Sequence, residues 1–438
     1  MRDAAFIAVM LALLPLAAAR PFVGVLLWSW ISFMNPHRLL WGAAEGMPWA
    51  AVVFAVTLLG CVLAGEPRRF AWNAVTALIL VLMLCFTLTS VVALGSPATV
   101  WAKWEHVFKM LLGLLLTACL LTDRWRVHAL VWIMVISLGY YGVRGGAFTL
   151  ITAGNYRVWG PPDTMINDNN HLAAALLVSL PLMNYLRMQA RAAIVRWGLV
   201  AAMGLTLLAV VGSYSRGALL GLAAATVVMW LRSRRKLASG LVLGACVAGA
   251  IAFMPEHWTA RMHTISTYEE DQSASDRLVL WDISFRLALD RPLVGSGFTG
   301  PYTREVVDRV APGGPARAVH SIWFELLGEQ GFPTFVIWVG LTVAGFIYTL
   351  RLTRLPRDRP DLAWARELGQ MAQVSIIAYL VSGTFLSLSY WDFYWTLLVV
   401  LGGAHALAAG AVQIRQTAGP AEGAGWRRLA TAAPGIRL

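Results

Sequence analysis

The sequence predicts an all-α polytopic membrane protein of about twelve transmembrane helices with one large polar loop. Two observations predict it. Of the 438 residues, 58% are hydrophobic and only 13% are charged, whereas soluble domains carry about a quarter charged residues. The apolar residues also fall into blocks of about 16 to 23, the length a helix needs to cross a hydrocarbon core of about 30 Å. This composition excludes a soluble enzyme, a disordered chain and a collagen-like fibre. The two-residue alternation of an outer-membrane barrel is absent.

Apolar spans lie near 4–19, 21–34, 49–64, 72–94, 107–122, 127–143, 171–186, 195–213, 216–231, 238–254, 333–351, 369–388 and 393–412. No cleavable signal is expected, because Met1–Ala19 runs almost directly into Pro21–Met34. The basic connections are Glu66-Pro-Arg-Arg69, Asp123-Arg-Trp-Arg126, Arg187 to Arg196, Arg232-Ser-Arg-Arg-Lys236, Arg351 to Arg366 and a tail with Arg427-Arg428. Each is two spans from the next, so all fall on one side, and basic loops mark the cytoplasm. The formal charge of +12 is expected mainly there. The connections 95–106, 144–170, 213–216, 255–332 and 389–392 then face outward. Two readings of the start remain open: Met1 lies outside, or the short pair before Pro36 acts as one crossing or a re-entrant hairpin. Twelve crossings with both ends inside is the expectation.

Five regions follow: N-terminal helices over 1–143, central helices over 144–254 with an outer loop at 144–170, a large outer loop at 255–332, C-terminal helices over 333–412, and a cytoplasmic tail at 413–438. The stretch from Pro255 to His320 carries seven arginines and nine acids. Within it, Ser275 to Asp290 repeats apolar residues at three- and four-residue steps, an amphipathic helix with Ser275 or Asp276 as N-cap. Pro292 and Gly295-Ser-Gly297 end it. A loop of this length with its own helix is usually functional.

His320 stands where this loop meets the next helix, in His320-Ser-Ile-Trp-Phe-Glu-Leu-Leu-Gly-Glu-Gln-Gly331. It reads as a proton acceptor near neutral pH or, more plainly, as an interfacial histidine solvating a helix end. Arg144, Arg157, Arg216, Arg277 and Arg291 lie on the side where positive charge is disfavoured and need a reason to be there. Arg216 sits between two spans with almost no loop. Its guanidinium fork suits a phosphate, or it snorkels to lipid headgroups. Arg277 opens the amphipathic helix, whose N-terminus adds positive potential for an anion. Asn167-Asp-Asn-Asn-His171 reads as a cap for the helix that follows.

Other chemistry lacks its residues. There is no Walker A loop, dinucleotide fingerprint, HExxH or GxSxG. Cys61, Cys85, Cys119 and Cys246 sit in apolar blocks with no CxxC, so neither a disulfide nor a zinc site is expected. Glu269-Glu270-Asp271 reads as a solvated run. Intramembrane acids, expected of an ion-coupled transporter, are nearly absent, and no inverted repeat is visible.

Ser-Arg-Gly at 215–217, Asp276-Arg277…Trp281, Pro292…Gly295-Ser-Gly297 and His320-Ser…Leu326-Leu-Gly-Glu-Gln-Gly331 together resemble the O-antigen ligase/polymerase superfamily over roughly residues 140–410. Arg144-Gly-Gly and Tyr156-Arg-Val-Trp-Gly-Pro also look like the exosortase-associated branch, the O-glycosylation ligases. The resemblance implies a GT-C type glycosyltransferase of the bacterial inner membrane, with its active site on the periplasmic face. Such enzymes move a glycan en bloc from undecaprenyl diphosphate to lipid A–core, with neither metal nor cofactor and no nucleic-acid partner. Transfer to protein hydroxyls or to a growing O-antigen is the alternative. By motif, Arg216, Arg277 and His320 match the family's catalytic arginines and histidine. Arg144, Arg157 and Arg291 are matched to diphosphate binding.

Overall fold

A computed structural model describes residues 2–232, 235–263 and 272–417. Among them there is no strand. Each apolar block is a helix: α1 (Arg2–Ala19), α2 (Pro21–Met34), α3 (Trp49–Leu63), α4 (Ala74–Val91), α5 (Pro97–Leu120), α6 (Arg124–Ile151), α7 (Asn169–Gln189), α8 (Ala193–Gly212), α9 (Arg216–Arg232) and α10 (Lys236–Ala252). The polar stretch forms α11 (Glu256–His263), α12 (Gln272–Asp290) and the single turn α13 (Arg304–Val307). The chain then completes α14 (Ile322–Thr353), α15 (Ala363–Gly383) and α16 (Asp392–Thr417). Six helices are long and apolar enough to cross a membrane, namely α1, α4, α6, α8, α14 and the Asp392–Gln413 part of α16; the bent pair α10–α11 would add a seventh.

The connections gather at two faces. On the lower face Arg126 bonds Glu66 at 2.7 Å and the Pro67 carbonyl at 3.1 Å. Arg124 reaches Gln189 at 3.1 Å, and Gln189 reaches Glu367 at 2.5 Å. The basic connections at 66–69, 123–126, 187–191 and 359–367 are therefore neighbours, as their two-span spacing requires. On the upper face Tyr141 donates to the Met34 carbonyl, Leu94 N–H to Ser296 O, and Asn169 to Ser213 O.

The first two helices bear on the start of the chain, which the sequence left open. Arg2 shares a cavity with Pro36 and Arg144 on the upper face, while Phe22 N–H donates to Glu66 at 3.0 Å on the lower one. Hence α1 and α2 each run from face to face, joined at Arg20-Pro21. At the other end, α16 runs down to the lower face, where Arg359 reaches Ala411 O.

Three boundaries also move. First, α6 continues past Val143 to Ile151, so Arg144 is helical rather than in a loop. Its Gly145-Gly146 pair serves packing: a Cβ at Gly146 would run into the backbone of Leu205 on α8, and one at Gly145 into Val158 and Ala209. Small residues of this kind let membrane helices approach closely.

Second, α12 begins at Gln272, so Ser275 and Asp276 lie inside it and neither is its cap; Asp276 pairs with Arg317 at 2.6 Å. Third, α14 starts at Ile322, not 333, and is broken at Gly331 (φ 75°, ψ 176°) ahead of Pro333. The C-terminal helix also runs beyond 412. The acidic run Glu269-Glu270-Asp271 and the tail with Arg427-Arg428 lie outside the described residues.

The break in α14 explains the glycine turn before it. Pro333 has no N–H for the Glu329 carbonyl, and Phe332 N–H turns to Pro292 O at 2.9 Å. The carbonyls left over are taken by the turn: Ser296 N–H donates to Gly328 O at 3.0 Å and Gly297 N–H to Glu329 O at 2.8 Å. The Pro292…Gly297 motif thus does more than stop α12. It holds residues 322–330 as a buried half-helix with its own position.

Candidate active site

His320 occupies the corner from which that half-helix starts. Its φ of 53° is left-handed, a conformation that costs a non-glycine residue about 1 to 3 kcal/mol and collects at functional positions. Two bonds hold the corner. His320 N–H donates to Ser387 Oγ at 3.0 Å, and Trp281 Nε1 of α12 donates to Val319 O at 3.1 Å. Trp281 also stacks on Phe324, 5.3 Å between centroids. Arg277 lies four residues before Trp281, so it projects from the same face of α12. Burial, and then the Arg277 guanidinium, hold the His320 imidazole below its usual range; His171 adds to this, and Asp168 and Glu325 oppose it.

Arg216 opens α9, and the residue after it packs near the same junction. Phe385 lies 3.6 Å from where a Cβ on Gly217 would stand, and its ring is 6.2 Å from that of Trp281. The turn before it is anchored: Asn169 donates to Ser213 O at 2.7 Å, beside the Asp168 cap of α7. Asp168 accepts from Asn170 N and His171 N at 2.6 and 2.8 Å, the capping expected from the Asn/Asp cluster. Burial works against its charge, but the His171 ring at 2.6 Å and the two N–H groups hold its carboxyl at about 2.

Arg157 and Arg144 extend this row. The Arg157 guanidinium stands 5.7 Å over the Tyr214 ring, two residues before Arg216. Tyr214, itself left-handed with φ 62°, bonds Gly154 O and His257 Nε2 at 2.6 Å each. Arg261 reaches its carbonyl at 3.3 Å. Arg144 and Arg157 line one cavity of about 370 Å³. Arg291 is the exception. It follows the far end of α12, fourteen positions after Arg277, or about 21 Å along a helix, and does not join the others; its Nη1 is buried with no hydrogen-bond partner.

The sequence reading missed the charges directly behind His320. Glu325 and Glu329 are only 3% and 0% exposed and face a single cation, Lys103 of α5, whose Nζ is 2.8 Å from Glu329 and 3.7 Å from Glu325. Tyr302 donates to Glu325 at 3.0 Å and Ser389 Oγ at 2.7 Å. Tyr390 donates to Glu329 at 2.8 Å and Thr299 N–H at 3.0 Å. Burial and the two carboxylates push the Tyr302 hydroxyl well above its ordinary range, so it stays a donor. A signal was present: two acids four apart share one helix face, and on an apolar helix they demand a partner.

Comparison with known families finds two matches. Residues 1–191 match a family of unknown function (DUF5935), and residues 201–339 match the O-antigen ligase family. The second match contains Arg216, Arg277, His320 and both buried acids. The O-antigen ligase match covers about a third of the chain and supports the superfamily resemblance of its motifs. That match and the apolar helices indicate a multi-pass membrane protein and support an O-antigen ligase- or polymerase-type function in general terms. No curated protein matches it.

Proposed function

We propose that this protein is a periplasmic-face glycosyltransferase of the bacterial inner membrane, moving an O-antigen-type glycan en bloc from undecaprenyl diphosphate to a lipid A–core hydroxyl. One observation carries the reading: a left-handed histidine corner with Arg277 on the helix bonded to it and Arg216 at the next helix start. In the reaction the acceptor hydroxyl attacks the anomeric carbon and gives its proton to His320. The bond from that carbon to the phosphate oxygen breaks, and its electron pair leaves on undecaprenyl diphosphate. Guanidiniums placed beforehand where this charge develops lower the barrier, and Arg216 and Arg277 take that role without a metal. Arg157 and Arg144 extend the positive row along which the diphosphate lies. A single displacement inverts the anomeric centre.

A neutral imidazole is needed for the proton transfer, and the depression of the His320 pKa keeps it neutral at periplasmic pH. The test is purified protein with undecaprenyl-diphosphate glycan and lipid A–core, with chelator and no nucleotide. Inverted glycan on lipid A–core is the expected product. Product found only on peptide or on growing glycan would move the assignment to a protein ligase or a polymerase. Dependence on added divalent ions would remove the arginine-only account of the leaving group.

A further inference from the structure

A cavity of about 1010 Å³ on the upper face lies between α2, α3, α5, the 163–166 loop and the 390–392 corner. Except for that corner, its walls come from the segment that matches a family of unknown function. It takes a different side of the His320 half-helix from the arginines. Phe324 and Gly328 of that helix meet Trp281 and Ser284 of α12, while Glu329 bonds Tyr390, which lines the cavity.

We propose that this cavity binds the saccharide of the acceptor. The assignment rests on the glycosyltransferase reading above and adds to it where the second substrate sits and what recognises it. Four indoles, Trp28, Trp49, Trp104 and Trp391, and the Tyr390 ring line the space. Their electron-rich faces suit the C–H face of a sugar ring, as they suit other polarised hydrogens. The volume is at the top of the range of about 300 to 1,000 Å³ for small-molecule sites, which leaves room for more than one sugar.

The charges argue against an anion. Both cations in the lining are already paired, Arg38 with Asp163 at 4.0 Å and Lys109 with Glu105. Glu45 and Asp392 remain as further acids, and Asp392 accepts from Ser32. Hydroxyl donors are welcome in such a lining and a diphosphate is not, so the lipid-linked donor belongs on the arginine side. The acceptor then approaches from the side away from the leaving group, as displacement requires.

The test titrates deacylated lipid A–core oligosaccharide into full-length His320→Ala protein, with no donor present so that nothing turns over, and follows tryptophan fluorescence. A saturable change is expected, weakened at least tenfold by Trp104→Ala and several-fold by the milder Glu45→Gln. In otherwise wild-type protein, Trp104→Ala should raise the acceptor KM at least tenfold while leaving the donor KM unchanged and kcat within about twofold. Absence of oligosaccharide binding overturns the proposal. So does a rise in the donor KM alone, which would make the cavity a donor-glycan site, or an acceptor KM unmoved in both variants. Binding without any transfer to lipid A–core by the wild type would leave the cavity assignment intact and sink the reaction assigned above.

Discussion

The two faces of the helix bundle treat positive charge in opposite ways. On the lower face Arg126 is spent on structure: it is 8% exposed and bonds Glu66, Asp123 and the carbonyls of Pro67 and Leu120. On the upper face, Arg144 and Arg157 are exposed along a cavity, Arg216 opens α9, and Arg277 lies within α12, whose Trp281 bonds the strained His320 corner. The upper face buries its own structural cation, Lys103, one layer behind. A guanidinium saturated by protein acceptors cannot hold a ligand, whereas a row of them beside a cavity lowers the energy of an incoming anion. Both faces carry arginines, and it is the upper row, beside His320, that the proposed reaction uses.

The comparison can be broken most directly at His320. His320→Ala should lower transfer by about 10²- to 10⁴-fold, the usual worth of a general base, with membrane insertion and thermal unfolding unchanged; turnover near wild type would leave the upper face without a base. Next in size, Lys103→Met strands two buried carboxylates. Removing one partner of such a pair costs about 3 to 5 kcal/mol, so a lower unfolding temperature in detergent is expected together with lost turnover, because the half-helix that carries His320 is anchored there. Arg126→Met should match it in destabilisation yet keep the turnover of whatever protein remains folded. Equal catalytic damage from both would erase the contrast between the faces.

A finer test uses guanidinium geometry. Arg216→Lys keeps the charge and loses the fork, and turnover should fall about tenfold or more, whereas Arg126→Lys should alter stability alone. The smallest effect expected is in pH. With His320 held below its ordinary range near 6.5, the acid limb of kcat/KM lies below that value, since activity is lost only as the pH falls through the lowered pKa. Arg277→Gln withdraws a positive neighbour, so the imidazole protonates more readily and the limb should move to higher pH. An unmoved limb would separate Arg277 from His320.

Much of this was legible in residue order. Every apolar block became a helix, because a run of such residues satisfies its backbone only by internal bonding in lipid. The one-sidedness of Arg126, Arg187 and Arg359 followed from counting spans. The Asp168 cap was visible in its local pattern, as was the amphipathic character of α12. What the linear pattern lacked was distance. Nothing local tells Arg291 from Arg277, yet the length of α12 carries one away from His320 and leaves the other beside it. The Arg144-Gly-Gly motif reads as a loop until α8 is seen to require those glycines for contact.

The amino-acid order alone determined the helical membrane architecture, its basic side and the superfamily motifs, because hydropathy, charge bias and capping are short-range properties. Only the tertiary structure decided that Lys103 meets Glu325 and Glu329, that the Pro292…Gly297 turn completes a broken α14, and that α1 starts on the upper face while α16 ends on the lower. Those outcomes depend on hydrogen bonds and ion pairs between segments far apart in the chain, and the burial that gives such pairs their strength exists only once the helices have packed.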